Sequence, residues 1–194
     1  MRGDGKVALS FFGDGATGEG VLFEALNFAS IKKLPMLFVC ENNLYSTHLH
    51  ISECRPNEEI YRIAKPFDAL TERVDGNDVL AVYEKSKMLI EKLRAGEGPA
   101  FLECLTYRMR GHVGPNDNIQ GTQTDIRSNE EIAEWREKDP VGRMKKILID
   151  DYNVSTEELA EIENKINDEI SEAYKFTEES AYPPKTELNN YVFK

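Results

Sequence analysis

Short apolar runs alternate along the chain with segments that have the apolar spacing of helices. The predicted strands are residues 6–12, 36–40, 71–74 and 100–106. Most are short and strongly apolar, as parallel strands covered on both faces are. The predicted helices between them are residues 21–31 and 78–96. This alternation predicts an α/β fold in which a parallel sheet is flanked by helices.

The last third of the chain has the pattern of acidic helices. A Ser-x-x-Glu sequence, typical of a helix start, begins at Ser128 and again at Ser155. Residues 129–194 contain 17 acidic and 9 basic side chains, and we interpret this excess as a solvated face rather than a docking surface. We therefore divide the chain into an α/β part, residues 1–128, and an acidic helical segment, residues 129–194, packed on the same domain. A long polar loop is predicted at 107–129.

Composition excludes several classes of partner. The chain has 24 basic and 35 acidic residues, a formal net charge of −11, which disfavours binding to nucleic acid or to an anionic membrane. No apolar run approaches the roughly 20 residues of a membrane helix, and no signal-peptide pattern is visible. Three cysteines do not form a disulfide framework. We therefore expect a reducing, cytoplasmic location.

The chemistry is concentrated where the first two predicted strands end. The first is followed by a glycine-rich turn, Gly13-Asp14-Gly15, which opens a helix and so offers free N–H groups to a phosphate. A carboxylate between two glycines would repel a diphosphate unless a divalent cation lay between them. Magnesium accepts such a mixed set of protein and phosphate oxygens. The alternative is a tight turn whose Asp14 caps the next helix.

A second polar turn makes the cation interpretation more specific. The second predicted strand ends in Asn42-Asn43, which 26 residues separate from the first turn. Parallel strands present their carboxyl ends at one edge of a sheet, where open α/β sheets bind ligands. The carboxylate of Asp14, the amide oxygen of Asn43 and the backbone carbonyl of Tyr45 could then ligate one Mg²⁺. His48 and His50 could form a metal pair, but no third ligand has suitable spacing, so solvated loop histidines are favoured.

These turns and the strings around them resemble a known family. The pair Gly13-Asp14-Gly15 and Asn42-Asn43 is similar to the thiamine diphosphate motif. The strings FFGDGATGEGVLFEALNFAS, LPMLFVCENNLYS, ERVDGNDV and GPAFLECLTYRMRGH resemble the alpha subunit of 2-oxo acid dehydrogenase complexes. That family includes pyruvate, branched-chain 2-oxo acid and acetoin dehydrogenases.

The resemblance implies a fold, a reaction and a set of site residues. The fold would be the transketolase-like, thiamine diphosphate-binding fold, with residues 1–128 as its diphosphate- and magnesium-binding part. The reaction would be oxidative decarboxylation of a 2-oxo acid, or acetoin cleavage, with transfer of the acyl group to a lipoyl carrier. The implied metal ligands are Asp14, Asn43 and Tyr45, and the implied cofactor contacts are Asp14, Gly15, Ala16, Asn43, Arg108 and His112. His112 would be the catalytic acid or base, with a loop histidine bonded to the backbone as the alternative.

The resemblance also implies partners. Only the C-terminal part of a family alpha subunit is matched, so we expect an upstream polypeptide that completes the domain. We also expect a beta subunit bearing the glutamate that activates the cofactor, in a heterotetramer, and a lipoyl acyltransferase component. Two alternatives stay open: a truncated, non-catalytic domain, and a thiamine diphosphate enzyme of transketolase type.

Overall fold

The computed structural model of the chain describes residues 4–112, 127–188 and 190. Its main sheet has four parallel strands in the order β1-β2-β6-β5. A two-stranded antiparallel hairpin, β3-β4, follows the second strand. The strands are β1 (Ala8–Gly13), β2 (Met36–Asn42), β3 (Tyr45–Ser46), β4 (Leu49–His50), β5 (Leu70–Asp75) and β6 (Ala100–Leu105).

Helices cover both faces of this sheet. The α-helices are α1 (Gly20–Ile31), α2 (Ile51–Cys54), α3 (Val79–Arg94), α4 (Asn129–Arg136), α5 (Pro140–Asp150) and α6 (Thr156–Glu179), and 3-10 helices occupy Asp14–Gly18, Ile60–Phe67 and Lys185–Glu187. On one face, α1 and the second 3-10 helix pack against Phe38 and Phe101. On the other, α3 packs against Val39 and Leu102. Since both faces are buried, the central strands need apolar side chains on each side, which explains their unbroken apolar runs.

The α/β prediction is confirmed, and most element bounds agree to within two residues. The largest difference is at residues 44–66, which the pattern indicates as irregular with one helical turn. There the chain forms the β3-β4 hairpin, the short helix α2 and the 3-10 helix Ile60–Phe67. These elements are too short to show a hydrophobic period. Of the predicted loop at 107–129, residues 113–126 lie outside the described residues.

Both predicted helix starts are present, but only one forms the full reciprocal pair. At α6, Ser155 accepts from the N–H of Glu158, and the Glu158 carboxylate accepts from the N–H of Ser155. At α4, Ser128 accepts from the N–H of Glu131 at 3.0 Å. The carboxylate of Glu131 accepts instead from the hydroxyl of Tyr45, at 2.9 Å from each oxygen. The tertiary hydrogen bond from Tyr45 has therefore replaced the local one in which the Glu131 carboxylate would accept from the N–H of Ser128.

The chain separates into two compact units, Met1–Met144 and Lys145–Lys194. The first contains the main sheet, and its helix α4 contributes Ile132 to a cluster with Tyr45 and Tyr107. The second contains α6, in which no residue is buried. The division at residue 128 stays a proposal. Among the described helices, none is both long enough and apolar enough to span a membrane.

Candidate active site

The two polar turns predicted from the sequence lie side by side. Strands β1 and β2 pair in parallel with Gly13 opposite Glu41, so Asp14 and Asn43 follow neighbouring strand ends at one edge of the sheet. Asp14 is only 4% exposed. Burial raises the pKa of its carboxyl group, and hydrogen bonding from the backbone of Asp14 and Asn43 opposes that rise. The two turns are therefore in direct contact.

The Asp14 turn does not cap the following helix. Asp14 begins the 3-10 helix Asp14–Gly18, whereas α1 begins at Gly20 after Glu19, whose side chain makes no cap hydrogen bond. The capping alternative is therefore wrong. A carboxylate held at a strand end, beside the backbone of a second turn, is available to a ligand.

Steric crowding explains why position 15 is a glycine. A Cβ atom added there would lie 2.5 Å from Oγ of Ser46 in β3, closer than any real contact. Gly15 and Ala16 themselves are exposed. The turn can thus present its backbone to a ligand on the outside while the hairpin packs tightly on the inside. This is the close backbone approach for which glycine is suited.

The two asparagines of the second turn have different environments. Asn42 is buried, and its side-chain amide donates to the Glu103 carboxylate at 2.8 Å while its oxygen accepts from the N–H of Leu44. Asn43 is half-buried, and its Oδ1 accepts from the N–H of Tyr45 at 3.1 Å. A carbonyl oxygen has two lone pairs, so Oδ1 of Asn43 can still bind a cation. Asn42 is a structural residue.

Arg108 and His112 follow β6 and lie near the hairpin. Arg108 donates through Nη2 to the carbonyl of Thr47 at 2.8 Å, and its Nη1 lies 3.1 Å from Nδ1 of His112. The rings of His48 and His112 are 6.1 Å apart, edge to face. The positive charge of Arg108 lowers the pKa of Asp14, against the larger effect of burial. Among the described residues, the ring of His112 contacts the side chain of Arg108, and its catalytic role stays a prediction.

Tyr45 connects the site to α4. Its ring is buried and its hydroxyl donates to Glu131. The guanidinium of Arg127 lies over the rings of both Tyr45 and Tyr107, at 5.7 and 5.2 Å from their centroids. Trp135 stacks on Tyr107 at 5.0 Å. The side chain of Tyr45 is therefore committed to packing, and the ligand role of its carbonyl stays a prediction.

Two residues near Asp14 were missed by sequence reasoning. Arg55 donates to the hydroxyl of Thr17, and that hydroxyl donates to the carbonyl of Asp14. Arg55 is 38 residues from Thr17, in a segment without a recognisable motif. Nothing local could have identified this contact.

The structure also explains His50. Its Nδ1 accepts from the N–H of Ser52, so that it caps α2. Within the described ranges, no group of three or more His, Cys, Asp or Glu side chains is arranged to hold a metal. The predicted magnesium set is of a different kind, because it contains a single carboxylate beside an amide oxygen and a backbone carbonyl.

Comparison with known proteins identifies the family. The family model described as "Dehydrogenase E1 component" matches residues 1–186. The chain belongs to the dehydrogenase E1 component family. Membership of this family implies thiamine diphosphate as the cofactor.

Relatives of this E1 chain are named pyruvate dehydrogenase E1 alpha subunits. It is 39% identical over 187 residues to the chloroplastic "Pyruvate dehydrogenase E1 component subunit alpha-3" of Oryza sativa subsp. japonica, covering 96% of this chain and 43% of that protein. It is 35% identical to the alpha subunit of Porphyra purpurea, covering 98% and 54%. It is also 35% identical to the mitochondrial somatic form of Pan troglodytes, covering 99% and 48%. The chain thus spans about half the length of these relatives.

These names correct one expectation. The rice relative is named chloroplastic and the chimpanzee relative mitochondrial, so the prediction of a cytoplasmic location is wrong. The prediction used the number and setting of the cysteines. Those features indicate a reducing environment, which is not specific to one compartment.

Proposed function

We propose that this chain forms the metal- and diphosphate-binding part of a thiamine diphosphate-dependent 2-oxo acid dehydrogenase, with pyruvate as the substrate. The observation that supports this most directly is the contact between the turns of Asp14 and Asn43 at neighbouring strand ends. Family membership and the names of the relatives supply the reaction class. Acetoin cleavage is another outcome of the substrate test below, and a transketolase-type reaction is the remaining alternative.

The residues present fit a magnesium diphosphate. Asp14 is a buried anion beside backbone N–H groups, and a divalent cation would stabilise its charge where burial disfavours it. The side chains of Asp14 and Asn43 and the carbonyl of Tyr45 would hold Mg²⁺. The backbone N–H groups of the exposed residues Gly15 and Ala16 would bind the diphosphate.

Arg108 and His112 would act on the substrate side. Thiamine diphosphate, when bound, supplies the electron sink for decarboxylation. His112 would hold or donate a proton near the reacting carbon, since imidazole changes its charge near neutral pH. Arg108 would orient His112 through the 3.1 Å contact with Nδ1 and join it to the hairpin through Thr47. Nε2 of His112 would then be the proton-transfer atom.

The active assembly we propose is larger than this chain. It contains the remainder of the alpha-type domain, on the same or an upstream polypeptide, and a beta subunit with the cofactor-activating glutamate, in a heterotetramer. A lipoyl acyltransferase component would accept the acyl group. The shared length with relatives, about half of each, supports the first of these partners.

The test is metal-dependent cofactor binding by that assembly. Thiamine diphosphate is titrated by calorimetry with Mg²⁺ and with EDTA, using wild type, Asp14→Asn and a control, Asp150→Asn, at an exposed position on α5. We expect Asp14→Asn to weaken Mg²⁺-dependent binding by about 100-fold or more, because even the loss of outer-shell groups costs 10–100-fold. Asp150→Asn should bind like wild type.

Three results would contradict the proposal. Unchanged titration curves for Asp14→Asn would exclude it as a ligand. If the wild-type assembly binds the cofactor but releases no CO₂ from pyruvate, while branched-chain 2-oxo acids or acetoin react, then pyruvate is not the substrate and the compound that reacts takes its place. An assembly that binds no cofactor at all would support the truncated, non-catalytic alternative.

A further inference from the structure

Arg55 is partly buried and contacts the turn that holds Asp14. The segment that places it is short and well anchored: His50 caps α2, and Ile51 is buried in the core. The backbone N–H of Arg55 then donates to the carbonyl of Ile51 at 3.0 Å. The backbone of Arg55 is thus held in place by the cap at His50, the core packing of Ile51 and the hydrogen bond to the Ile51 carbonyl.

From there the side chain reaches the turn through Thr17. Nη2 of Arg55 donates to the Thr17 hydroxyl, and the same hydroxyl donates to the carbonyl of Asp14. Thr17 is fully buried, so no water competes for these bonds. The relay from Arg55 to Asp14 therefore fixes the main chain from which the N–H groups of Gly15 and Ala16 project.

The guanidinium of Arg55 forms no ion pair within 4 Å among the described residues, although other arginines of the same part of the fold, such as Arg62 and Arg73, do. Its charge is nevertheless felt at the site, because it lowers the pKa of Asp14 and of the buried Cys40. An anion bound at the turn would therefore have a favourable interaction with this cation.

We propose that Arg55 is a positioning residue for the diphosphate: through Thr17 it fixes the turn at Asp14, and its charge favours an anion on the outer side of that turn. This rests on the proposed function, because it assumes that a diphosphate binds there. It adds a residue that the motif itself does not contain. Ser46 supports the turn from the hairpin side, where it packs against Gly15, so the turn is held from two directions.

The experiment compares variants in the assembled enzyme by calorimetry. Three probes are used with Mg²⁺ present: thiamine diphosphate, inorganic pyrophosphate and thiamine, which lacks phosphate. The variants are Arg55→Gln, Arg55→Lys and Thr17→Val, with Arg62→Gln as the control because Arg62 is exposed and forms its ion pair with Glu59, a residue that is not part of the proposed site. Thermal melting of each variant is measured in parallel.

We expect Arg55→Gln to lower the affinity for thiamine diphosphate and for pyrophosphate by about tenfold, which corresponds to about 1.4 kcal/mol of binding free energy. Thiamine should bind as it does to wild type, because it makes no use of the turn. Arg55→Lys should recover most of the loss, since it keeps the charge. Thr17→Val should lower the affinity for the same two probes. The double variant, Arg55→Gln with Thr17→Val, should show no greater loss of affinity than the more affected single variant, as expected if both residues act through one relay.

Several outcomes would overturn the proposal. Wild-type affinity for pyrophosphate in Arg55→Gln is one, and an equal loss for thiamine and thiamine diphosphate is another, because it would indicate a general structural role. If Arg55→Gln does not fold, Thr17→Val decides: unchanged phosphate affinity there contradicts the relay, and a tenfold loss supports it. If the wild-type assembly binds none of the probes, the proposed function fails along with this inference.

Discussion

The buried carboxylate of Glu103 provides the sharpest test of how the sheet positions the site. Glu103 is fully buried in β6. One of its oxygens accepts from the side-chain amide of Asn42 at 2.8 Å, and the other accepts from the N–H of Tyr61 at 2.9 Å. Arg73 lies 3.5 Å away and is one-third exposed. The substitution Glu103→Gln keeps the shape of this side chain but turns one acceptor into a donor.

The expected cost follows from these contacts. The new NH₂ group must face either the amide of Asn42 or the N–H of Tyr61, and leaving a buried donor unpaired costs about 1–3 kcal/mol. The hydrogen bond that remains is then made to a neutral amide instead of a charged carboxylate, and charge-assisted hydrogen bonds are roughly twice as strong as neutral ones. Loss of the ion pair with Arg73 adds about 0–1 kcal/mol, because that residue is partly exposed and also lies near Glu59. We expect Glu103→Gln to lower the free energy of unfolding by about 2–4 kcal/mol.

Urea unfolding followed by circular dichroism measures this change. The matched control is Glu91→Gln on the exposed face of α3, which should shift the free energy of unfolding by less than about 0.5 kcal/mol. Adding Asn42→Asp to Glu103→Gln reverses donor and acceptor, and it should recover about 1 kcal/mol or more. A loss below about 0.5 kcal/mol for Glu103→Gln, or no recovery in the double variant, would refute the reasoning.

Three further predictions concern the surroundings of the site and the buried thiols. Tyr45→Phe should destabilise the chain by about 1–2 kcal/mol in the same urea assay, because it removes the hydroxyl that donates to Glu131; an unchanged midpoint would contradict the contact. Burial, with smaller effects of nearby carboxylates, raises the pKa of the Cys104 thiol to about 11 and raises that of Cys40 still further, whereas Cys54 is exposed. At pH 8, Ellman's reagent should therefore titrate one thiol in the native chain and three in urea, and three fast native thiols would be inconsistent with this burial. Because the folded pKa of Cys104 is the higher one, its contribution to stability is full below about pH 9 and is lost as the pH rises towards 11.

The sequence was informative wherever a local pattern reflects the tertiary structure. Strands buried on both faces give apolar runs, and a cap residue lies within three positions of the N–H that it accepts from, as Asp78 does at α3. The two turns were assigned to one edge because parallel strands leave no other arrangement. Arg55 and Glu103 could not be found in this way. Their partners are 38 and 61 residues distant, and a long-range contact leaves no periodic trace in the sequence.

The long-range contact of Glu103 also supports Asn43 rather than Asn42 as the proposed metal ligand. The parallel register places Asn42 opposite Leu105 in β6, and its side chain points into the core, where Glu103 receives it. Asn43 follows the strand, is half-buried, and its backbone hydrogen-bonds to the carboxylate of Asp14. A shift of one residue in register would exchange the two, because successive side chains point to opposite faces. The Asn-Asn sequence alone is therefore compatible with either asparagine as the proposed metal ligand, and the hydrogen bond to the buried Glu103 engages Asn42, which leaves Asn43 for that proposed role. If Glu103→Gln loosens this arrangement, thiamine diphosphate binding should weaken together with stability, although Glu103 is not among the residues proposed to bind it.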